Sequence, residues 1–476
     1  MKTLKSLTSA LAVAASFVLS PSVFSQQSGN WTSTAGGNWT DTANWTPAAV
    51  PGTAAGDAVN LNSNFTAGTK TIILNTNATV GTMIFGDGNS TSPSALILSG
   101  SSTLTFDNGA SDATLTFQGS AASNTFNAPM LLAGNLTISG ASMFPNFGGT
   151  VAAASAGLKT ISYNSSAAYF QSTSVISDGA GQVAIAQTGS GALTLNGTNT
   201  FSGGVRFTRA TLFLGNSSAL GTGDLTLTNV GSITLSAAEG LSFSNNMTLA
   251  GASIGGGAGN ITWTGNITQS AGSSINRVGR TDINGNVYLS ANSTSGNTLV
   301  LGGTNNGDGS ISGVISNWNG ANGTAGTMNK IGNGTWTFSG ANTYSGTTQV
   351  TGGTLIYGAN QTIAATSVLN IKTVGTSTTA TIDFAGFNAT VNSVLFGGTA
   401  AAAGSANLLS TGSGTLTLGG STAVTYSTAS GTNPGTATIS GKIDLGSGTR
   451  TFSVADSTQT TNELAITAAI TDMSFG

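Results

Sequence analysis

The chain has 476 residues, of which 6% are charged, 38% hydrophobic and 69 glycine, with a formal net charge of −3. A soluble domain is roughly a quarter charged, and a disordered chain is poor in apolar residues and rich in net charge; this composition excludes both an average globular surface and disorder. The 12 basic residues are scattered, so no stripe faces a phosphate backbone and nucleic acid is set aside; the absence of cysteine and histidine removes disulfides, the usual zinc sites, cysteine nucleophiles and any imidazole base.

In chain order, the first element is "MKTLKSLTSALAVAASFVLSPSVFSQQ". Lys2 and Lys5 precede an apolar run from Leu7 to Leu19, then Pro21 and small residues at Val23 and Ser25. That order predicts a secretory signal over residues 1–25, cleaved after Ser25. The run is shorter than the roughly 20 residues of a membrane-spanning helix, and Ser9 and Ser16 interrupt it. No later segment resembles a transmembrane helix.

Residues 26–70 hold Trp31, Trp39 and Trp45, half of the six tryptophans in the chain. Pro47 and Pro51 break any helix, so short strands and turns are expected. A solenoid exposes apolar core at its first rung and needs an atypical cap there, and the segment reads as that cap. The alternative is a platform of indole faces for stacking sugars.

Residues 71–476 are strand after strand: "TKTIILNTNATVGTMIFGDG", "SALILSGSSTLTFDNG", "GDLTLTNVGSITLSAAEG". Each run alternates with period two and is bounded by Gly, Asn or Asp. Two stretches are copies without a gap: residues 189–215, "GSGALTLNGTNTFSGGVRFTRATLFLG", and residues 332–358, "GNGTWTFSGANTYSGTTQVTGGTLIYG". Parity puts Trp336 and Phe338, like Leu193 and Leu195, on one side, and Thr337 and Thr194 on the other. Gly340, Asn342 and Gly346 are expected to supply bends through their tolerance of positive φ, with Leu355 and Leu212 opening the returning strand. Stacked rungs explain the low charge. Charge is unfavourable inside the stack, like charges in one outer column repel, and small polar residues form ladders instead. The expected fold is an all-β, right-handed parallel β-helix of about 20 to 25 residues per rung and on the order of 80 to 100 Å long. A set of β-sandwich domains is the rival.

The second copy strongly resembles the autotransporter-associated β-strand repeat of large secreted bacterial proteins. It shares the Gly-x-Gly-Thr start at Gly332 and Gly334, the Gly-Ala-Asn-Thr-Tyr-Ser-Gly middle from Gly340 to Gly346, and the Gly-Thr-Leu end at Gly353 to Leu355. A third start, Gly412 to Gly419, departs from the pattern. The resemblance implies a passenger-like β-helix at the bacterial surface and no particular activity. The first copy differs at Arg206, Arg209 and Ala210, where the second has Gln349, Gly352 and Gly353. The two arginines read as a solvated face, with a small basic contact point as the alternative. Autotransporters of this kind end in a membrane β-barrel; no such block or sorting tail is read here, so a truncated product or a separate secreted piece is expected.

Parallel β-helices also carry polysaccharide lyases and hydrolases. The one mixed cluster, "INRVGRTDING", offers Arg277 and Arg280 to clamp an acidic sugar and Asp282 to bind metal; an irregular loop with a local ion pair is the plainer reading. Asp107 and Asp112 stand at turns, and Asp87 lacks the alternating acids of a calcium loop. "GASIGGGAGN" does not open a helix, as a dinucleotide fingerprint must. Thr-x-Thr triplets invite ice binding but suit solvent-facing strand positions. The resulting expectation is a secreted or cell-surface, outer-membrane-associated structural or adhesive rod without catalytic activity, catalytic residues, metal or cofactor. Its expected partners are polysaccharide or other cells.

Overall fold

Alternation puts every second side chain on one face, and in this chain the apolar half turns inward in strand after strand: Leu104-Thr105-Phe106 and Ile261-Thr262-Trp263 bury their first and third residues and leave the threonine partly exposed. The structure, a computed structural model, describes residues 26–89, 94–118, 123–140, 145–165, 170–228, 232–302, 307–360, 363–374, 377, 379–397, 406–427, 436–456 and 462–472. The signal reading of residues 1–25 lies outside the described residues.

The strands coil into a parallel β-solenoid with three faces. The first face is a 14-stranded sheet reaching from Ser28–Trp31 to Ile315–Ser316. The second runs nearly the whole length, from Gly37–Asn38 to Thr451–Val454. The third begins as four strands, Ala78–Val80 to Val151–Ala153, and resumes from Leu241–Phe243 onward. Each register links one rung to the next, as in Met247 to Ile267 to Val287 on the first face. Eighteen strands on the second face, at the roughly 4.8 Å strand spacing, stack to about 80 Å.

Inside, one continuous apolar core runs from Trp31 to Ile443. Rings stack from rung to rung within it: Phe85 meets Phe117 edge-on at 5.7 Å, and Phe117 meets Phe147 at 5.5 Å.

At the corners, asparagines join successive rungs. The side-chain Oδ1 of Asn246 accepts from the backbone N–H of Asn266, Asn266 from that of Asn286, and Asn286 from that of Val314, at 3.2, 3.0 and 3.0 Å. Beside them runs a glycine column, Gly265, Gly285, Gly313 and Gly340. A Cβ on any of the four would lie 2.0 or 2.1 Å from a carbonyl oxygen of the preceding rung.

The two repeat copies each form one complete turn of 19 residues, Leu193 pairing with Leu212 and Trp336 with Leu355. Each turn has strands on two sides only. In the first copy Leu193–Leu195 and Ala210–Leu214 belong to the second face and Val205–Phe207 to the first. In the second, Thr335–Phe338 and Gly353–Tyr357 belong to the third face and Thr348–Val350 to the second. The strandless side therefore replaces the third face in one copy and the first face in the other.

On that side, asparagine substitutes for the ladder. Asn199 accepts from the N–H of Ile176 at 2.9 Å, and Thr200 donates to the Ile176 carbonyl at 2.9 Å. In the second copy Asn342 accepts from Ile315 N–H at 2.8 Å and Thr343 donates to the Ile315 carbonyl at 2.8 Å. Phe201 and Tyr344, at matching positions, are fully buried where a strand's apolar residues would otherwise lie.

Three expectations need correction. Gly340, Asn342 and Gly346 do not bend the chain through positive φ; the glycines are needed because rungs approach too closely for a Cβ, and the asparagine because a buried N–H needs an acceptor. Positive φ falls instead on Gly353 (64°) and Ala210 (75°), which open the returning strands ahead of Leu355 and Leu212. Thr194 is on the outward parity yet only 2% exposed, lying in the ladder between Gln171 and Phe213.

Left-handed backbone costs a residue with a Cβ roughly 1–2 kcal/mol, partly offset by glycine's larger unfolded-state entropy. Ala210→Gly is therefore expected to stabilise the chain by about 0.5 kcal/mol. The reverse change, Gly353→Ala, should cost about 2 kcal/mol or more, because its Cβ would also lie 2.4 Å from the Gly334 carbonyl oxygen. Urea midpoints of the two variants check the pair.

Candidate functional site

At the N-terminal end, Trp31, Trp39 and Trp45 are buried to 2% exposure or less. Trp45 meets Trp31 and Trp39 edge-on at 5.0 and 4.9 Å. Their indole N–H groups donate to the carbonyls of Ser33, Pro51 and Trp39. Trp45–Thr46 runs antiparallel to Ser28–Trp31, unlike the parallel stack that follows. Sugar stacking needs an accessible ring face, and these rings face one another and the core. Nearby Asp57, which the sequence reading missed, is fully buried and accepts from the backbone N–H groups of Gln27, Gly52, Thr53 and Ala54. It ties the segment into the stack.

The mixed cluster is divided by the strand pleat. Arg277 shares inward parity with Ile275 and is 2% exposed. Its Nε donates to the Leu235 carbonyl at 3.0 Å, and its terminal nitrogens to the carbonyls of Ala258 and Gly259 and to the Thr281 hydroxyl. Burial holds its pKa down to about 10, against the pull of Glu239. Arg280 and Asp282 form an ion pair on the outside at 2.8 Å, and Asp282 also accepts from the Ser310 hydroxyl at 2.6 Å. The three residues do not converge on one ligand.

A second cation is also enclosed. Lys330 is 1% exposed, and its Nζ donates to the carbonyls of Ile331, Gly332 and Gly352 at 2.8, 2.8 and 3.0 Å. The expectation that charge avoids the interior is thus overturned at Arg277 and Lys330. Each donates into a cluster of backbone carbonyls around its buried end. Their inward parity beside Ile275 and Met328 was the available signal.

Burial pushes the Lys330 pKa from 10.5 down to about 8, opposed by Asp308, and raises the phenols of Tyr163, Tyr344 and Tyr357. Between pH 8 and 10.5 the unfolded chain still holds the lysine proton that the folded chain has released, so this group's contribution to stability rises with pH. Above about pH 10 the unfolded chain loses phenol protons that the folded chain keeps, so the tyrosines' contribution falls. Three tyrosines outweigh the opposing rise from Arg277. The urea midpoint is expected to climb from about pH 8, peak near pH 10 and then fall; Lys330→Met should remove the climb and leave the fall.

The acidic candidates are turn residues. Asp107 accepts from Gly109 N–H, Asp112 from the Asn135 side chain, and Asp87 from the N–H groups of Phe65, Asn89 and Ser94. Among the described residues, no three acidic side chains gather as a metal site would need, and no helix is long and apolar enough to cross a membrane.

An open groove of about 630 Å³ lies across the first-face strands from Leu158–Asn164 to Leu225–Thr228. Arg206 and Asp224 line it, with Leu158 and a floor of Ala184, Ala186 and Gly204. Arg209 is not among the residues that line it and stands in the turn before Ala210. The outward threonine column beside the groove, Thr226, Thr248 and Thr268, is bounded by Arg206 and Tyr288. This surface offers one cation, one carboxylate and small residues. It suits contact more than proton transfer.

Residues 185–212 and 328–356 match the family model of the passenger-associated-transport-repeat, so the chain carries two autotransporter passenger-type repeats. No curated protein and no solved structure matches the chain.

Proposed function

We propose that this chain is a secreted or surface-exposed passenger-type stalk, associated with the outer membrane of a bacterium, with a structural or adhesive role and no catalysis of its own. The observation carrying this reading is that both passenger-associated repeats are whole turns of one uninterrupted parallel stack. Repeats spent on turns extend a rod. The partners proposed are polysaccharide or other cells.

The test is expression of the full chain, with residues 1–25, in a Gram-negative host. Protease added outside intact cells should remove it, and cells carrying it should adhere to polysaccharide-coated surfaces more than cells without it. Protection inside the envelope, or release of reducing ends from the polysaccharide, would overturn the reading.

A further inference from the structure

Five of the six tryptophans are buried to 2% or less; Trp318 alone is partly exposed. It stands in the loop between Ile315–Ser316 and Thr327–Ile331, where the chain passes from the first face to the second. A partly exposed indole usually wanders among rotamers, but this one is held. Its N–H donates to the Ala321 carbonyl at 3.1 Å, and its own carbonyl accepts from the Ser316 hydroxyl at 2.8 Å. Gly320 and Gly323 lie against the ring so closely that a Cβ on either would come within 2.4 Å of it. Asn322 takes a left-handed turn, φ 54°, that carries the chain around the ring.

The loop itself is braced from below and behind. Asn317 uses its whole amide: Nδ2 donates to the Gly323 carbonyl and the Ser345 hydroxyl, and Oδ1 accepts from Gly326 and Ser345 N–H. Thr324 N–H donates to the carbonyl of Ser293, in the corresponding loop one rung earlier. Two stacked loops thus hold the ring in one place, which removes much of the ordering cost a ligand would otherwise meet.

We propose that the Trp318 loop is a binding site for a neutral polysaccharide, the indole stacking on the C–H face of a pyranose ring and the exposed amides of Asn319 and Asn322 bonding its hydroxyls. Neither amide has a hydrogen-bond partner among the described residues, and both are exposed. The surroundings select the ligand class. Residues 286–302 and 309–329 contain no charged side chain, so neither an acidic sugar nor a nucleic acid finds a counter-charge. Among the described residues the large exposed apolar side chains, Ile73, Leu158, Val175, Val278 and Val454, all lie outside these two loops, which leaves no apolar patch for a lipid surface. A ring with an apolar face and a hydroxylated rim fits one aromatic plate bordered by amides. The proposal names the ligand class of the adhesive role above and rests on that reading only for where the ligand is met.

The test is affinity electrophoresis of the full mature chain through gels containing soluble β-1,3-glucan, mannan or hydroxyethyl cellulose, paired with tryptophan fluorescence. At least one of these should retard the protein and shift its emission. Trp318→Ala should weaken that binding about tenfold or more, and Trp318→Phe should keep part of it, both with unchanged far-ultraviolet circular dichroism. Gly320→Val should also weaken binding by displacing the ring while Trp318 remains present. Retardation unaffected by Trp318→Ala, binding confined to acidic polysaccharide or anionic vesicles, or no binding to any of the three neutral polymers would each overturn the proposal. None of those results alters protease access at the cell surface, so the stalk reading stands or falls separately.

Discussion

Replacing Asn199 with alanine should cost about 3 kcal/mol. The side chain is 3% exposed and joins three rungs: Oδ1 accepts from Ile176 N–H, and Nδ2 donates to the Ala219 carbonyl at 2.7 Å. Alanine leaves one donor and one acceptor buried without partners, with no strand on that side to offer replacements. Asn342→Ala should cost a similar amount, since Oδ1 there serves Ile315 N–H in the same way. Asn319→Ala, at an exposed position, should fall within about 0.5 kcal/mol of the parent. Urea denaturation of the three variants decides the matter. Equal midpoints would mean that the asparagines of the repeat are turn formers only, as the sequence alone suggests.

The larger effect is expected at the glycine column. Gly285→Val places a Cβ 2.0 Å from the Gly265 carbonyl oxygen, well inside any permitted carbon–oxygen contact, and backbone cannot swing aside as a side chain can. Opening the rung by the missing distance would break the ladder bonds that flank it, because strands pair only near 4.8 Å. The cost is expected to be on the order of 4 kcal/mol or more, which for a marginally stable chain approaches unfolding. Gly255 is the internal comparison. It lies in a strand, has no positive φ, and a Cβ added there would meet nothing within 4 Å, so Gly255→Ala should be neutral or add up to about 1 kcal/mol. Thermal unfolding followed by circular dichroism separates a close-approach glycine from a flexible one. Similar losses at Gly255 and Gly285 would count against the close-approach account.

The contrast between these glycines shows what a sequence can convey. Period-two alternation made the strands legible, and the repeated 27-residue stretch made the stacking legible, because both are written in residue order. What separates Gly285 from Gly255 is distance to a neighbouring rung, which no local pattern records. Arg277 and Lys330 sat on inward parity in plain view, but composition argued that charge stays outside. Only the carbonyls gathered around each buried side chain show why two cations belong within. Trp31, Trp39 and Trp45 drew attention by crowding together. Trp318, the one held at the surface, is isolated in sequence, and its two glycine neighbours gain meaning only once the loop is closed around the ring.

Each repeat copy closes on itself after 19 residues and hands the chain on in register with the rung it came from. Gain or loss of one such unit during replication of the coding sequence would change the rod by a single storey, roughly 4.8 Å, and give new neighbours only to the two rungs that flank it. Reach can then be adjusted in small steps by copy number, without any compensating substitution, and relatives of this chain that differ in length should differ by whole turns.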